Sequence, residues 1–393
     1  MVHTDDMTEA YFNCRKRKRN TASAIEFEMN YERNICELVK SINSRVYEPV
    51  TSICFVVTRP RLREVFAANF RDRVIHHYVA MRLIPLLEET FSPTTFNCRE
   101  GKGQLYGVKR LCDDIIQCSE NYTKDCYIMK LDIQGFFMSI DKILLCEIID
   151  KFVLEKYNGE DKKDVRYLCK VLIMHEPQLN CERHSKDEMF NELPSNKSLF
   201  TNGKGKGIAI GNLFSQIFAN YLLNSLDWYL EGLGIKFHGR YVDDFYCIHE
   251  NKQLLLNAVP KIRNLLKELK LTLHPKKFYI QHYTKGVEFT GAIVKPHRIY
   301  ANNRVVNNFM FAVMKLNNAK NAEQATKLVS SINSYLGILR QYNEYATRRR
   351  VLSKLNSNAF KYIYIQGHFE VVKLKDKYKL RVNTIKRLKN GDY

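Results

Sequence analysis

Two adjacent carboxylates, Asp243 and Asp244, lie within Tyr241-Val242-Asp243-Asp244-Phe245, between two short β-prone stretches. The first, Ile235 to Arg240, has Ile235, Phe237, Gly239 and Tyr241 alternating as on a half-buried strand. The second, Phe245-Tyr246-Cys247-Ile248, is short and β-prone. Strands joined by so tight a connection form a hairpin with the carboxylates at its tip. Like charges held together need a counter-charge. Mg²⁺ supplies one, since it binds one or two carboxylates together with substrate phosphates. The other Asp pairs, Asp5-Asp6 and Asp113-Asp114, lack this context. Asp113-Asp114 falls in a helix-like run, Tyr106 to Cys118, and reads as a solvated face.

A third carboxylate has a related setting. Cys126-Tyr127-Ile128-Met129-Lys130-Leu131-Asp132-Ile133 is an apolar β-prone run that ends in Asp132. A helix is expected to start near Ser139-Ile140-Asp141, and Ser139 and Asp141 stand closer to that start as caps. Asp132 is therefore assigned to a metal. Between the acidic sites lies Gly207-Ile208-Ala209-Ile210-Gly211-Asn212-Leu213-Phe214-Ser215-Gln216. Beyond it Phe214, Ile217, Phe218, Tyr221, Leu222 and Leu226 recur at helical spacing, with Asn212 or Ser215 near the helix start. Core packing explains the stripe but not the Ile-Gly-x-x-x-Ser-Gln segment before it.

Taken in order, Leu-Asp-Ile-x-x-Phe-Phe, Ile-Gly-Asn-Leu-x-Ser-Gln and Tyr-Val-Asp-Asp-Phe resemble the palm of a reverse transcriptase. Gln216 stands where group II intron and retroviral enzymes usually carry Pro, and is similar to the branch found in diversity-generating retroelements. The runs from Arg59 to His77 and Cys98-Arg99-Glu100-Gly101-Lys102-Gly103 resemble that branch's fingers. Leu273-His274-Pro275-Lys276-Lys277 and Phe289-Thr290-Gly291 resemble late palm motifs, and Ser334 to Arg340 the start of the thumb. The resemblance spans about residues 46–350.

The resemblance implies an α+β right-hand polymerase fold: fingers, a palm whose antiparallel sheet carries the Tyr-Val-Asp-Asp hairpin, and a helical thumb. The expected divisions are an N-terminal helical basic extension at 1–45 and fingers at 46–107. Palm segments follow at 108–149 and 207–300, separated by an insertion at 150–206. A helical thumb with a basic tail occupies 301–393. Short strands are expected at Ser52 to Val57 and Arg63 to Ala67. The Gly203-Lys204-Gly205-Lys206-Gly207 repeat lacks the Gly-Lys-Ser/Thr ending of a Walker A loop. It reads either as a flexible cationic approach to Ile210 or as a contact for phosphates.

The implied chemistry is in-line nucleotide addition assisted by two Mg²⁺ ions, with Mn²⁺ as a substitute. Asp132 and Asp243 would bridge both ions, Asp244 would act less directly, and the Ile133 carbonyl would complete one site. Arg63 matches the family's triphosphate-binding Arg, with Arg61 and Arg59 as neighbours on the same run. Lys276 or Lys277 would approach the leaving group. Phe137 would pack below the sugar and select deoxynucleotides, while Phe136 fills the core. Ile210, Gly211 and Gln216 would border the nucleotide. Tyr241, Val242, Lys102 and Arg340 would contact primer or template.

Composition agrees with a polyanionic partner. Lys plus Arg number 62 against 42 Asp plus Glu, a formal charge of +20. No apolar run approaches the roughly 18 residues of a spanning helix, and no signal peptide is visible. The 11 cysteines are scattered without Cys-x-x-Cys, which suits reduced thiols in a cytoplasmic protein; the resemblance implies a bacterial or phage-encoded one. Cys181-x-x-His184 lacks the paired spacing of a zinc site.

The leading expectation is an RNA-directed DNA polymerase that copies a template-repeat RNA into cDNA carrying errors at adenines, for diversification of a target gene. Its partners would be template RNA, primer or cDNA, dNTPs and a small basic oligomeric accessory protein, with no membrane. Retron, defence-associated and intron-type enzymes are the alternatives within the class. Outside it stands a non-catalytic RNA-binding protein with a polymerase-like fold. The clustered carboxylates argue against that reading, because unused ones only repel one another. A metal-dependent nuclease lacks a supporting His-rich or further acidic motif.

Overall fold

The structure, a computed structural model, describes residues 1–16, 21–58 and 61–379. The expectations for Arg59, for most of the Arg15–Arg19 cluster and for the tail beyond Lys379 lie outside these residues. Two compact units result: Met1–Gln104 with Met129–Ile280, and Leu105–Ile128 with Gln281–Tyr393.

The first unit begins with helices Thr4–Arg15, Ala22–Met29 and Tyr31–Asn43. Its strands are β1 (Ser52–Val57), β2 (Arg63–Ala67), β3 (Tyr127–Asp132), β4 (Cys181–Arg183), β5 (Phe237–Tyr241), β6 (Asp244–His249) and β7 (Tyr279–His282), of which β3 and β7 run across the division. One sheet has the order β2-β1-β4 and the other β5-β6-β3-β7. Strands β1 and β2 fall where the sequence places them. In β1 the inward positions Ser52, Cys54 and Val56 alternate with half-exposed ones, the period of a strand with one buried face. They pair antiparallel, with Phe55 opposite Val65.

Helices flank these sheets. Asn69 caps Phe70–Thr90 by accepting from the Arg71 amide, and Asp141 caps Lys142–Lys156 by accepting from Leu144. In helix Leu213–Leu222 the stripe Phe214, Ile217, Phe218 and Leu222 is buried, as its spacing predicts. Asn212 stands at the N-cap, but its Oδ1 accepts from the Ala68 amide at 3.4 Å. It thus ties the helix to the end of β2.

Several local expectations differ from the structure. In β5 the fully buried residues are His238, Gly239 and Arg240, while Phe237 and Tyr241 are half-buried. Polar side chains take the inner positions because partners from helices and loops meet them there. The 150–206 segment contains β4, which pairs in parallel with β1. The Gly-Lys loop is pinned: Lys142 N–H donates to the Gly205 carbonyl at 3.0 Å and Gly207 N–H to Ile140 at 2.7 Å.

In the second unit, helix Gln104–Cys118 carries the Asp113-Asp114 pair, which is only half solvated. Asp113 is exposed, but Asp114 is buried and accepts from Arg110 Nε at 2.8 Å, one helical turn away. Strands β8 (Val287–Phe289), β9 (Ala292–Lys295) and β10 (Arg298–Ala301) form an antiparallel sheet. Helices Asn303–Asn317, Ala322–Gln341, Tyr345–Leu352 and Ser357–Tyr362 follow. Asn302, Asn321 and Asn356 cap three of them through their side chains. Phe309, Val313, Leu316, Ile332, Leu336 and Leu339 make the centre of their core. The expectation that everything from 301 onward is helical fails at β11 (Ile363–Gln366) and β12 (Val371–Leu374), an antiparallel pair. Alternation in Ile363-Tyr364-Ile365 and Val371-Val372 signals it, since β-branched residues favour strands.

Candidate active site

Strands β5 and β6 pair as far as Tyr241 opposite Asp244, which leaves Val242 and Asp243 to make the turn. Tight hairpin turns require a positive φ, usually supplied by Gly, Asn or Asp. Here Val242 supplies it, at φ +61°. A β-branched residue in that region is strained, and such strain persists only where the surroundings enforce it. They do so on both sides of the residue. Val242 N–H donates to Asn97 Oδ1 at 2.9 Å, and its carbonyl accepts from Arg240 Nη1 at 3.1 Å.

The end of β3 lies against this turn, where Ile133 N–H donates to the Asp243 carbonyl at 3.3 Å. Asp132 and Asp243 are thereby brought into one locality. Burial pushes the Asp243 carboxyl up from its ordinary value. The charge of Asp132 pushes the same way, and Arg63 and Lys277 oppose it. Burial also pushes Asp244 up, to about 6, against the pull of Lys130 and with the help of Asp243 and Asp132. Lys130 Nζ stands 3.2 Å from Asp244 Oδ2, while Asp244 Oδ1 is buried without a hydrogen-bond partner. Lys277 Nζ donates to both oxygens of Asp132 at 3.0 Å. Among the described residues, no three His, Cys, Asp or Glu groups stand close enough to hold a metal ion as they are placed.

On the fingers side, Arg63 opens β2, opposite Val57, and is exposed. Its charge reaches Asp243. Arg61 is exposed just outside the strand. The Ile210 carbonyl accepts from Phe66 N–H at 2.9 Å, so the Ile210-Gly211 segment runs along β2. Gly211 is required there: its φ is +118°, and a Cβ would come within 2.8 Å of the Phe66 carbonyl oxygen. Ile210 and Phe137, both half-buried, pack on one apolar cluster of Cys54, Phe66, Met138, Leu199 and Ala209. Phe136 is buried, 5.3 Å from Phe137 between ring centroids.

The remaining expected contacts are dispersed. Gln216 is exposed, and its Oε1 accepts from Cys98 Sγ at 3.2 Å. Cys98 also contributes to raising the Tyr241 hydroxyl pKa, after burial. Lys102 directs its ammonium to the Pro93 carbonyl at 2.8 Å. Arg340, in the second unit, is exposed. Lys276 is exposed as well; of the two lysines left open by the sequence, Lys277 is the one that reaches Asp132.

Sequence reasoning missed the layer beneath the turn. Arg240 is 1% exposed and forms a bidentate pair with Asp227, with Nε to Oδ1 at 2.8 Å and Nη2 to Oδ2 at 2.6 Å. It also reaches Asn220 Oδ1, Thr95 Oγ1 and the Val242 carbonyl. Lys130, a lysine on a strand next to the catalytic-type Asp, was likewise passed over. A charge in an otherwise apolar β-prone run, two residues before Asp132, was the available signal; its partner Asp244 lies on the adjacent strand β6.

The arrangement gathers three carboxylates and two lysines at one end of the β5-β6-β3-β7 sheet, with Arg63 of the other sheet near enough for its charge to act on Asp243. That charge pattern suits phosphoryl chemistry on a triphosphate. A family profile described as "Reverse transcriptase (RNA-dependent DNA polymerase)" matches residues 59–294. No curated protein sequence matches the chain. Solved structures to which it is similar include two of telomerase from Candida tropicalis. The apo form has 13% identity, a TM-score of 0.47 and coverage of 79% of this chain and 59% of that one. The apo form truncated from the C-terminal domain has 14% identity, a TM-score of 0.45 and coverage of 68% and 59%. Telomerase from Candida albicans in complex with a fragment of telomeric RNA has 10% identity, a TM-score of 0.45 and coverage of 86% and 61%. The chain spans about three fifths of the length of these structures.

Proposed function

The chain belongs to the reverse transcriptase (RNA-dependent DNA polymerase) family, and from that premise we propose that it extends a primer on an RNA template at Asp132, Asp243 and Asp244. The observation that supports this reading is the backbone hydrogen bond from Ile133 to the Asp243 carbonyl, which brings the chain at Asp132 and Asp243 together, near enough for the charge of Asp132 to act on Asp243. Their donors fit a hard divalent ion. Both are carboxylates, the charge of Asp132 disfavours ionisation of Asp243, and the Lys277 ammonium now supplies the positive charge at Asp132. Asp132 and Asp243, with the Ile133 carbonyl, would hold two Mg²⁺, or Mn²⁺ in their place. When bound, the ions would lower the barrier to attack of the primer 3′-hydroxyl on the α-phosphorus.

The chain's own groups supply the rest. Arg63, exposed and felt at Asp243, would take the triphosphate oxygens through its planar fork. Lys277, whose flexible ammonium lies on Asp132, would face the leaving pyrophosphate. Phe137, backed by the apolar cluster, would close the space that a ribose 2′-hydroxyl needs. Lys130 would hold Asp244 still.

Within the family, the reading favoured is the diversity-generating type, copying a template-repeat RNA with errors at adenines and working with a small basic accessory protein. Ile210 supports it. The residue ahead of Gly211 packs on an apolar cluster and offers the incoming sugar no hydrogen bond. A lost hydrogen bond of about 1 kcal/mol loosens discrimination several-fold without stopping chemistry.

Purified protein with Mg²⁺ and dNTPs should extend a primer on RNA. Asp243→Asn should lower the rate by several orders of magnitude with its melting temperature preserved; equal rates in the folded variant would remove the assignment. Sequencing of cDNA made on a mixed-base template should show misincorporation concentrated opposite adenine and altered by Ile210→Gln. Uniform error rates, indifferent to that substitution, would leave a plain reverse transcriptase.

A further inference from the structure

Val242 is the only tip residue whose conformation its own side chain opposes. Its positive φ suits Gly or Asn, and a branched Cβ makes it costly. Left alone, the Tyr241–Asp244 link would relax toward an ordinary φ and carry the Asp243 backbone with it. Two hydrogen bonds oppose that relaxation, and they grip the residue at both its N–H and its carbonyl.

The groups that make them are themselves fixed. Asn97 is 3% exposed, and its carbonyl accepts from Asn220 Nδ2 at 3.2 Å. Asn220 Oδ1 in turn accepts from Arg240 Nη1 at 3.0 Å, and the same nitrogen donates to Val242. A closed ring of hydrogen bonds therefore runs Val242, Asn97, Asn220, Arg240 and back to Val242. The backbone repeats the arrangement. Phe96 N–H donates to the Arg240 carbonyl and Arg240 N–H to the Thr94 carbonyl, each at 2.9 Å. The segment carrying Asn97 is thus laid along β5 like an added strand.

We propose that Asn97 is a positioning residue for the polymerase reaction: through Val242 it holds the strained turn that places the Asp243 carboxylate. This rests on the polymerase reading above. Asn97 itself touches neither substrate nor ion; it acts by making an unfavourable backbone conformation the stable one.

The test is a double-mutant cycle with Val242→Asn, because Asn enters the left-handed region far more readily than Val. Asn97→Ala should slow single-turnover extension by roughly tenfold or more, the effect of freeing one buried hydrogen bond together with the strain it restrains. Titration of Mn²⁺ alone into protein without nucleic acid should weaken by a similar factor. In the Val242→Asn background, where the turn no longer needs holding, the same substitution should cost about threefold or less on both readouts. Val242→Asn by itself should raise the melting temperature by about 2 °C, by releasing strain. Equal losses in both backgrounds, or unchanged Mn²⁺ affinity in a folded Asn97→Ala protein, would overturn the proposal. Should Asn97→Ala fail to fold, hydrogen exchange of the wild-type Val242 amide decides instead: slow exchange is expected, and exchange as fast as an open loop overturns it. A wild-type protein that never extends a primer, yet shows the Mn²⁺ pattern, would retire the polymerase reading and leave the clamp standing.

Discussion

Two acid–base pairs lie at the same end of the palm sheet and are built to opposite rules. Arg240 and Asp227 are each 1% exposed and meet through three hydrogen bonds, Nε to both carboxylate oxygens and Nη2 to one, with Thr95 and Asn220 satisfying what remains. Lys277 and Asp132 also meet, but at 45% and 17% exposure and through a single flexible ammonium. The first pair cannot exchange partners without emptying a buried site. The second can let go of its lysine and take another cation at little cost. Architecture in this molecule uses charges that are saturated, and the candidate chemistry uses charges that are left replaceable.

The sharpest way to break this comparison is to remove one member of the saturated pair. Asp227→Asn should destabilise the fold by about 3–5 kcal/mol, since it leaves the Arg240 charge buried and underpaired. Chemical denaturation would measure this, and a loss below 1 kcal/mol would show that the pair is not structural.

Asp244 provides the next effect, with the opposite sign. Its carboxyl is pushed up to about 6, so the folded state holds the proton more tightly than the unfolded chain does. The stability this group contributes is complete below its unfolded pKa near 4 and is lost as pH rises through about 6. Asp244→Asn should therefore stabilise the metal-free protein by about 1–2 kcal/mol at pH 7 and by almost nothing at pH 4. Melting curves at both values would show it; a substitution that destabilises at pH 7 would mean that Asp244 is a structural acid like Asp227.

The smallest effect belongs to the replaceable pair. Lys277→Ala should change stability by less than about 1 kcal/mol, as for other exposed pairs. It should also tighten Mn²⁺ binding to the free protein by a few-fold, because the ion no longer competes with an ammonium. Weaker Mn²⁺ binding would show that Lys277 helps to form the site instead of covering it.

The sequence exposes one of these two layers and hides the other. Asp132, Asp243 and Asp244 are legible because each ends or begins a β-prone run, and a charge at such a place has few structural uses. The β1 and β2 strands stand where they were expected, between the first helices and the Asn69 cap. Arg240 is hidden because its partner, Asp227, sits 13 residues earlier on a helix, and nothing local distinguishes it from a solvent-facing arginine. Val242 is hidden for a different reason: the turn residue is the one that turn propensities would reject, and it is held there by Asn97, 145 residues away in the chain. Strand β4 is only three residues long, too short for any period to show.

That short strand has a consequence for how the chain is made. Strand β1 is the middle of its sheet, with β2 on one side and β4 on the other. The link from Val56 to Ser185, just past β4, spans 129 residues. A ribosome therefore releases β1 and β2 long before the neighbour that covers β1's second edge has been synthesised. Through that interval an apolar, β-branched strand offers unpaired backbone groups to any passing strand, the usual route to aggregation. Trimming the 150–206 segment to obtain a smaller enzyme would make the interval permanent.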